Sequence, residues 1–269
     1  DPALGSLYTW PGITARLPSW ARSRYVAYPD GPAAELQAAI GRKAAQAGLI
    51  GVAVVALDHP RVREAINGLV ERGVSVVTLV SDVPSSKRVH YAGIDNSSAG
   101  RTAATLMGRF LGGKTGKVGL IAGSLSLRDH IERRFGFEQV LAQEFPQLAI
   151  LPVLESRDDW QRVEKVTAEM LSAHTDLIGI YNVGAGARGI VAALENTGRQ
   201  KQVTYIAHEL TDHTRRALVD GTIDAIINQN AGHEVRSAVR VLMAKADRTP
   251  LIEAMEHIRI DIFVRDNLP

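Results

Sequence analysis

The sequence predicts an α/β protein built on parallel sheets. Short β-rich apolar runs alternate with amphipathic helical windows along the chain, and Gly, Pro, Asp or Asn punctuate the connections. Strand–helix–strand repetition requires crossovers, which are right-handed and leave the strands parallel. There are about eight such units, more than one compact open sheet holds, so two lobes fit best; an (α/β)8 barrel competes, since length and alternation suit it too.

Taken in order, the apolar runs predict strands at Arg24–Tyr28, Gly51–Leu57, Ser75–Val80, Val89–Ile94 and Lys117–Ile121. They continue with Ala149–Leu154, Leu177–Tyr181, Val203–Ala207, Thr222–Asn228 and Ile258–Val264. Helices fill most of the gaps. Asn96 and Ser97 precede an apolar-periodic stretch to Leu111, and Asp158 precedes one carrying Val163, Val166, Met170 and Leu171.

A chain that is 45% hydrophobic and 22% charged has enough apolar material for one large or two medium cores, which argues against disorder. Its 31 basic residues are scattered among 29 acidic ones, for a net charge of +2, so the segment itself does not read as a nucleic-acid binder. Cysteine is absent, which excludes a disulfide framework, a thiolate nucleophile and a Cys-based zinc site. No apolar stretch approaches a membrane span, and the N-terminus lacks a signal-peptide pattern, so a soluble chain is expected. Because it begins with Asp1 and not Met, part of the function is expected in residues ahead of it.

Two segments imitate phosphate-binding loops. Gly108-Arg-Phe-Leu-Gly-Gly113-Lys114-Thr115 fits G-x-x-x-x-G-K-T, but it closes a helix and precedes a strand, the reverse of a phosphate loop, and reads as a helix C-terminus and turn. Gly184-Ala-Gly186-Ala-Arg-Gly189 follows a strand and opens a helix, with Glu209 about twenty residues on, so a nicotinamide-dependent enzyme is a rival reading. Nothing near it reads as a hydride-transfer acid or base.

The strongest functional signal is Leu120-Ile-Ala-Gly-Ser-Leu-Ser-Leu-Arg128-Asp129-His130-Ile-Glu-Arg133-Arg134-Phe-Gly136-Phe137, an apolar strand passing into a charged helix. Open α/β sheets bind ligands at such carboxyl ends. Other strands end alike: Asp58 and His59, Asp82, Asp95 and Asn96, His208 and Glu209, and Gln229 and Asn230. Carboxylates, amides and a guanidinium make the paired, directional bonds that vicinal hydroxyls need on leaving water, so a sugar or polyol fits this inventory. Asp58 and Asp95 also read as helix caps, and His59 and His208 as loop residues. Adjacent acid–histidine pairs rarely share a metal, no H-x-x-x-H spacing occurs, and no G-x-S-x-G elbow is present, so neither metal nor hydrolytic chemistry is expected.

Four motifs stand out along the chain: Val76-Val-Thr-Leu, Tyr91-Ala-Gly-Ile-Asp95-Asn96-Ser-Ser-Ala-Gly100-Arg-Thr-Ala-Ala, Arg133-Arg-Phe-Gly136-Phe137 and Leu218-Val-Asp-Gly221-Thr-Ile-Asp-Ala-Ile-Ile-Asn-Gln229. Through them the chain, from about Glu35 to Pro269, resembles the effector-binding domains of lactose-repressor-type (LacI/GalR) transcription regulators, which share their fold with periplasmic sugar-binding proteins. The closing Ile262-Phe-Val-Arg-Asp266-Asn267-Leu-Pro269 resembles the regulator branch. The resemblance implies two Rossmann-like lobes, residues 1–95 plus 231–258 and residues 96–230 plus 259–269, joined by a three-crossing hinge with sugar between them. The candidate ligand contacts are then Asp58, His59, Asp129, His130 and His208, from the strand ends and the charged cluster, with Asp82, Arg133, Asn182, Glu209 and Gln229, on which the resemblance also bears. Arg133 matches the family's sugar-binding arginine, Glu209 stands where Asp is usual, and Gln229 matches a hinge-side contact. Asp82 lies just beyond the usual acidic position, and Asn182 approximates an Asn-Asp pair that this chain lacks. Residues 1–30, with Trp10, Pro11, Pro18 and Trp20, lack the expected first strand and helix.

The expected function is that of a non-enzymatic, cofactor-free, cytoplasmic effector sensor of a bacterial regulator, working as a homodimer without a membrane. Ligand-driven closure would control operator DNA binding through an N-terminal helix-turn-helix module not present in this chain. The alternatives are a periplasmic sugar-binding protein serving a transporter and, third, an NAD-dependent oxidoreductase.

Overall fold

A computed structural model describes residues 51–157 and 159–269; the strand expected at Arg24–Tyr28, the divergent residues 1–30 and the capping role expected of Asp158 lie outside these. The elements run β1 (Gly51–Val54), α1 (Pro60–Glu71), β2 (Ser75–Leu79), β3 (His90–Ala92), α2 (Asn96–Leu111), β4 (Gly116–Ala122), α3 (Arg128–Glu144), β5 (Leu148–Ile150) and β6 (Leu154–Glu155). They continue with α4 (Trp160–Ala173), β7 (Leu177–Asn182), α5 (Ala187–Asn196), β8 (Thr204–His208), α6 (Asp212–Val219), β9 (Ala225–Asn228), α7 (Ala231–Asp247) and β10 (Asp261–Phe263). The chain divides into two compact units, one running to Ile94 and including Asn230–Arg259, the other comprising Asp95–Gln229 and Ile260–Pro269.

In the first unit β1, β2 and β3 form a parallel sheet in that order. Val77, Leu79 and Ala92 pack against Ala238 and Val241 of α7. Helix α1 buries Val62, Ile66 and Leu69, whose spacing puts them on one face, and it begins with Pro60, whose missing N–H costs nothing at a first turn. His59 caps it, its Nδ1 accepting from Arg61 N at 3.2 Å. The cap expected of Asp58 therefore belongs to its neighbour.

The loop after β2 is held by Asp82, which accepts from Thr78 Oγ1 (2.6 Å), Val83 N (2.8 Å) and both Nε and Nη2 of Arg88. This carboxylate is largely screened from solvent, and hydrogen bonds to charged groups are worth about 1.5–3 kcal/mol each. Asp82→Ala is expected to lower unfolding stability by about 2 kcal/mol and to raise amide exchange across Ser81–Arg88. An unchanged denaturation midpoint would show that the brace contributes nothing net.

The second unit contains a seven-stranded sheet of order β10-β9-β8-β7-β4-β5, with β6 also on β4. It is parallel except for β10, which runs antiparallel to β9. Both described sheets are open, so the barrel alternative fails among the described residues. The single strand expected at Ala149–Leu154 is two short ones around Pro152, whose missing N–H interrupts the ladder to β4. The strand expected from Thr222 starts at Ala225, because Thr222 and Ile223 donate their N–H groups back to Ala217 O to close α6. The last strand shortens from Ile258–Val264 to Asp261–Phe263.

Both loop lookalikes have structural explanations. Gly112 (φ 58°) ends α2 in the left-handed conformation, as a C-terminal cap should, and β4 follows. Gly186 and Gly189 lie where α5 meets α4: a Cβ on Gly189 would stand 2.2 Å from Trp160 O, and one on Gly186 2.5 Å from Val163 Cγ2. That contact accounts for both glycines without a nucleotide.

Candidate functional site

Within the second unit β4, β7, β8 and β9 are neighbouring parallel strands, so their carboxyl ends lie side by side. There the chain places Ser124, Asn182, Val183, His208, Glu209 and Gln229. The first turns of α3 add Asp129, His130 and Arg133, and the start of α2 adds Asn96. Asp95, which caps α2 by accepting from Ser98 N at 2.8 Å, fixes where Asn96 begins the helix.

Two glycines set how deeply α3 can reach. A Cβ on Gly100 of α2 would fall 1.9 Å from Arg133 O, and one on Gly136 of α3 would fall 2.2 Å from Ser97 O. The helices therefore cross backbone against backbone, which delivers Arg133 to Asn96.

Arg133 is only 2% exposed. Its Nε donates to Asn96 Oδ1 (2.8 Å), Nη1 to Val183 O (2.9 Å) and Nη2 to Gln229 Oε1 (3.1 Å). Asp129, one turn earlier on the same face, offers the countercharge at 3.8 Å. His130 Nδ1 lies 3.1 Å from Ser124 N and 3.0 Å from Ser124 O, and its Nε2 is 3.7 Å from Asp129 Oδ2. On β7, Asn182 donates to Gly184 O and Ala185 O, shaping the loop into α5.

Four buried atoms of this cluster lack a hydrogen-bond partner: Asp129 Oδ1, Asn182 Oδ1, His208 Nδ1 and Glu209 Oε1. Such groups are rare in folded proteins because each costs about 1–3 kcal/mol, and their gathering at strand ends marks a place where something polar completes them. Burial holds His208 well below the usual histidine range, with Arg133 and His130 adding to the effect, so the ring is neutral. Glu209, at φ 66°, is pushed up to about 7 by burial, against the opposing pull of Arg133 and of hydrogen bonds from Gln229.

A carboxyl whose folded pKa exceeds its unfolded value stabilises the fold while protonated. Its contribution is whole below the ordinary value of 4.5 and is lost as pH rises through about 7. In that window Glu209 should lower stability by up to about 1.4 kcal/mol per pH unit. Glu209→Gln is expected to remove this slope, measured by urea denaturation at stepped pH; a slope identical in wild type and variant would rule it out.

Of the ten residues expected from sequence, Asp129, His130, Arg133, Asn182, His208, Glu209 and Gln229 fall in this one cluster. The other three lie in the first unit and are engaged locally: Asp58 with Arg63 at 3.4 Å, His59 as a cap, and Asp82 with Arg88. For Asp82, the acceptor capacity expected for ligand is taken up by the loop. Sequence reasoning named Asn96 among the strand-end groups without carrying it into the ten, and left out Tyr181. Asn96 is 3% exposed at a helix start, where an amide is normally solvated; Tyr181 is fully buried with its hydroxyl 2.7 Å from His208 Nε2, inside a run that reads as plain strand. Among the described residues no three His, Asp or Glu side chains gather as a metal site, and no helix is long and apolar enough to cross a membrane.

A protein-family model described as a periplasmic binding protein domain matches residues 13–249. The chain belongs to that family. Solved structures agree with this periplasmic binding protein domain in fold. One is an ABC-transporter solute-binding protein from Burkholderia graminis C4D1M in complex with D-arabinose, 27% identical over 87% of this chain and 80% of that one, with a TM-score of 0.77. Another is the arabinose-binding protein AraP from Geobacillus stearothermophilus, 26% identical over 86% and 80%, with a TM-score of 0.68. The glucose-galactose-binding protein GanP of the same organism is 24% identical over 87% and 82%, with a TM-score of 0.79. No curated protein matches the chain. Type I periplasmic-binding-protein architecture is thus the fold of this domain.

Proposed function

We propose that this chain binds a neutral monosaccharide and acts as the capturing component of a sugar transporter. The observation that carries the reading is the buried cluster around Arg133. Its guanidinium is held by three protein acceptors, while Asp129 Oδ1 and Glu209 Oε1 stand unpartnered. Unmet acceptors suit hydroxyl donors, whereas a phosphate or carboxylate would meet two carboxyl groups with the one cation between them already engaged. The similar structures support the transport role, since they include sugar-binding proteins of transporters, one with D-arabinose bound. The sequence ranked this role second to regulation, and the relatives reverse that order.

The regulator reading rests on the internal motifs jointly and on the closing Ile262–Pro269 segment. Asn267 braces it, donating to Ile262 O (2.8 Å) and accepting from Val264 N (2.7 Å). Operator DNA, a homodimer and a cytoplasmic location belong to that reading, and a location outside the cytoplasm to the transport one.

Thermal unfolding with D-arabinose, D-fucose, D-galactose, D-glucose, ribose 5-phosphate and NAD tests the proposal. A ligand at 100 times its Kd adds about 2.7 kcal/mol, or about 5–10 °C for a chain of this size. A shift with an aldose and none with the phosphosugar is expected. A shift with NAD alone would replace the reading by the oxidoreductase.

A further inference from the structure

Tyr181 and His208 form a buried pair that the sugar-binding reading leaves without a task. The Tyr181 ring stacks on Phe137 with centroids 4.5 Å apart, and its hydroxyl lies 2.7 Å from His208 Nε2, its only hydrogen-bond partner among the described residues. Burial raises the phenol above its ordinary value, so it keeps its proton, and His208 is neutral.

Two arrangements of protons are open to this pair. If Nε2–H donates to the phenol oxygen, the hydroxyl proton has no acceptor and Nδ1 is left bare, giving two unmet buried groups. If the hydroxyl donates to Nε2, only Nδ1–H remains unmet. Each unmet buried group costs about 1–3 kcal/mol, so the second arrangement is favoured. An imidazole nitrogen hydrogen-bonded as acceptor sets the other as donor.

We propose that Tyr181 is a positioning residue that fixes His208 as the Nδ1–H tautomer, so that the site offers sugar one imidazole donor beside the acceptors Asp129 Oδ1 and Glu209 Oε1. The tautomer follows from the geometry alone; its use by a ligand rests on the sugar-binding reading. The pattern is one of discrimination, because a buried Nδ1–H requires an oxygen lone pair from whatever enters. A compound that presents a hydrogen-bond donor or an apolar group there leaves the imidazole unmet.

Histidine-selective 15N NMR of the ligand-free protein at pH 7 decides the tautomer. A protonated Nδ1 and a bare Nε2 are expected for His208; a protonated Nε2 would overturn the proposal. Tyr181→Phe keeps the ring stack and removes the hydroxyl, and should shift His208 toward a mixture of tautomers. It should also weaken binding of whichever of D-arabinose, D-fucose, D-galactose or D-glucose stabilises wild type by about tenfold, the worth of one hydrogen bond. An unchanged 15N pattern would reduce Tyr181 to a packing residue. His208→Asn, whose amide nitrogen can occupy the Nδ1 position, should retain more affinity than His208→Gln, which reaches toward Nε2; the reverse order would overturn the donor assignment. If none of the four aldoses binds, the sugar reading fails while the 15N spectrum still decides the tautomer.

Discussion

Arg133→Ala is expected to cost about 3–5 kcal/mol of unfolding stability, the usual penalty for removing one partner of a buried ion pair. Three acceptors lose their donor at once: Asn96 Oδ1, Val183 O and Gln229 Oε1. Asp129, 3% exposed, also loses the cation 3.8 Å away. For a chain of this size the loss corresponds to a Tm lower by about 10 °C. Because Arg133 pulls the Glu209 pKa down, its removal lets that carboxyl rise further. The deficit should therefore be larger at pH 8 than at pH 5.5, which urea titrations at the two values check. Lysine is no substitute, since one ammonium cannot span three acceptors as the guanidinium fork does, so Arg133→Lys should lose most of the same stability. Affinity for a stabilising aldose should fall as well, because the acceptors that Arg133 holds in place, Asn96, Val183 and Gln229, are no longer positioned by it. A loss of stability below about 1 kcal/mol would mean that the cluster is not organised around this side chain.

Gly100→Ala should also be damaging, for a different reason. In an ordinary helix the change would gain about 1 kcal/mol, since Ala is the better helix former. Here the added methyl would lie 1.9 Å from Arg133 O and 2.7 Å from Arg133 C, both backbone atoms that no side-chain rotation can move away. Helices α2 and α3 must separate, and overpacking of this kind costs about 1–3 kcal/mol or more. The net expectation is a loss of about 2 kcal/mol, together with weaker aldose binding, because the separation carries Arg133 away from Asn96. Gly68→Ala in α1, where the nearest atom to an added Cβ is the mobile Arg72 Nη1 at 3.8 Å, is the control and should be neutral or stabilising. Equal denaturation midpoints for the two variants would refute the close crossing.

Much of the architecture was legible because its signals are local. Alternation of apolar runs with helical periodicity marks strands and helices wherever they pack, and parallel pairing follows from the connections. The cap at Gly112 and the Asp95 cap of α2 were readable for the same reason, since each depends on a few adjacent residues. Seven of the ten expected site residues share one cluster: four stand at the carboxyl ends of neighbouring parallel strands, and three come from the first turns of the helix that follows β4.

What only the tertiary structure decided is how those groups are paired. The partners of Arg133 lie 37, 50 and 96 positions away, beyond the reach of any periodicity. Asp82 and Glu209 look alike in sequence, both acids just past a strand. One is bound by Arg88 six residues on, and the other is buried with Oε1 unmet. Tyr181 reads as an ordinary strand residue until the fold sets its hydroxyl against His208. Local sequence dictates which groups reach the strand ends, whereas burial and long-range packing dictate which of them are left with an unmet hydrogen bond, and in this protein that difference defines the site.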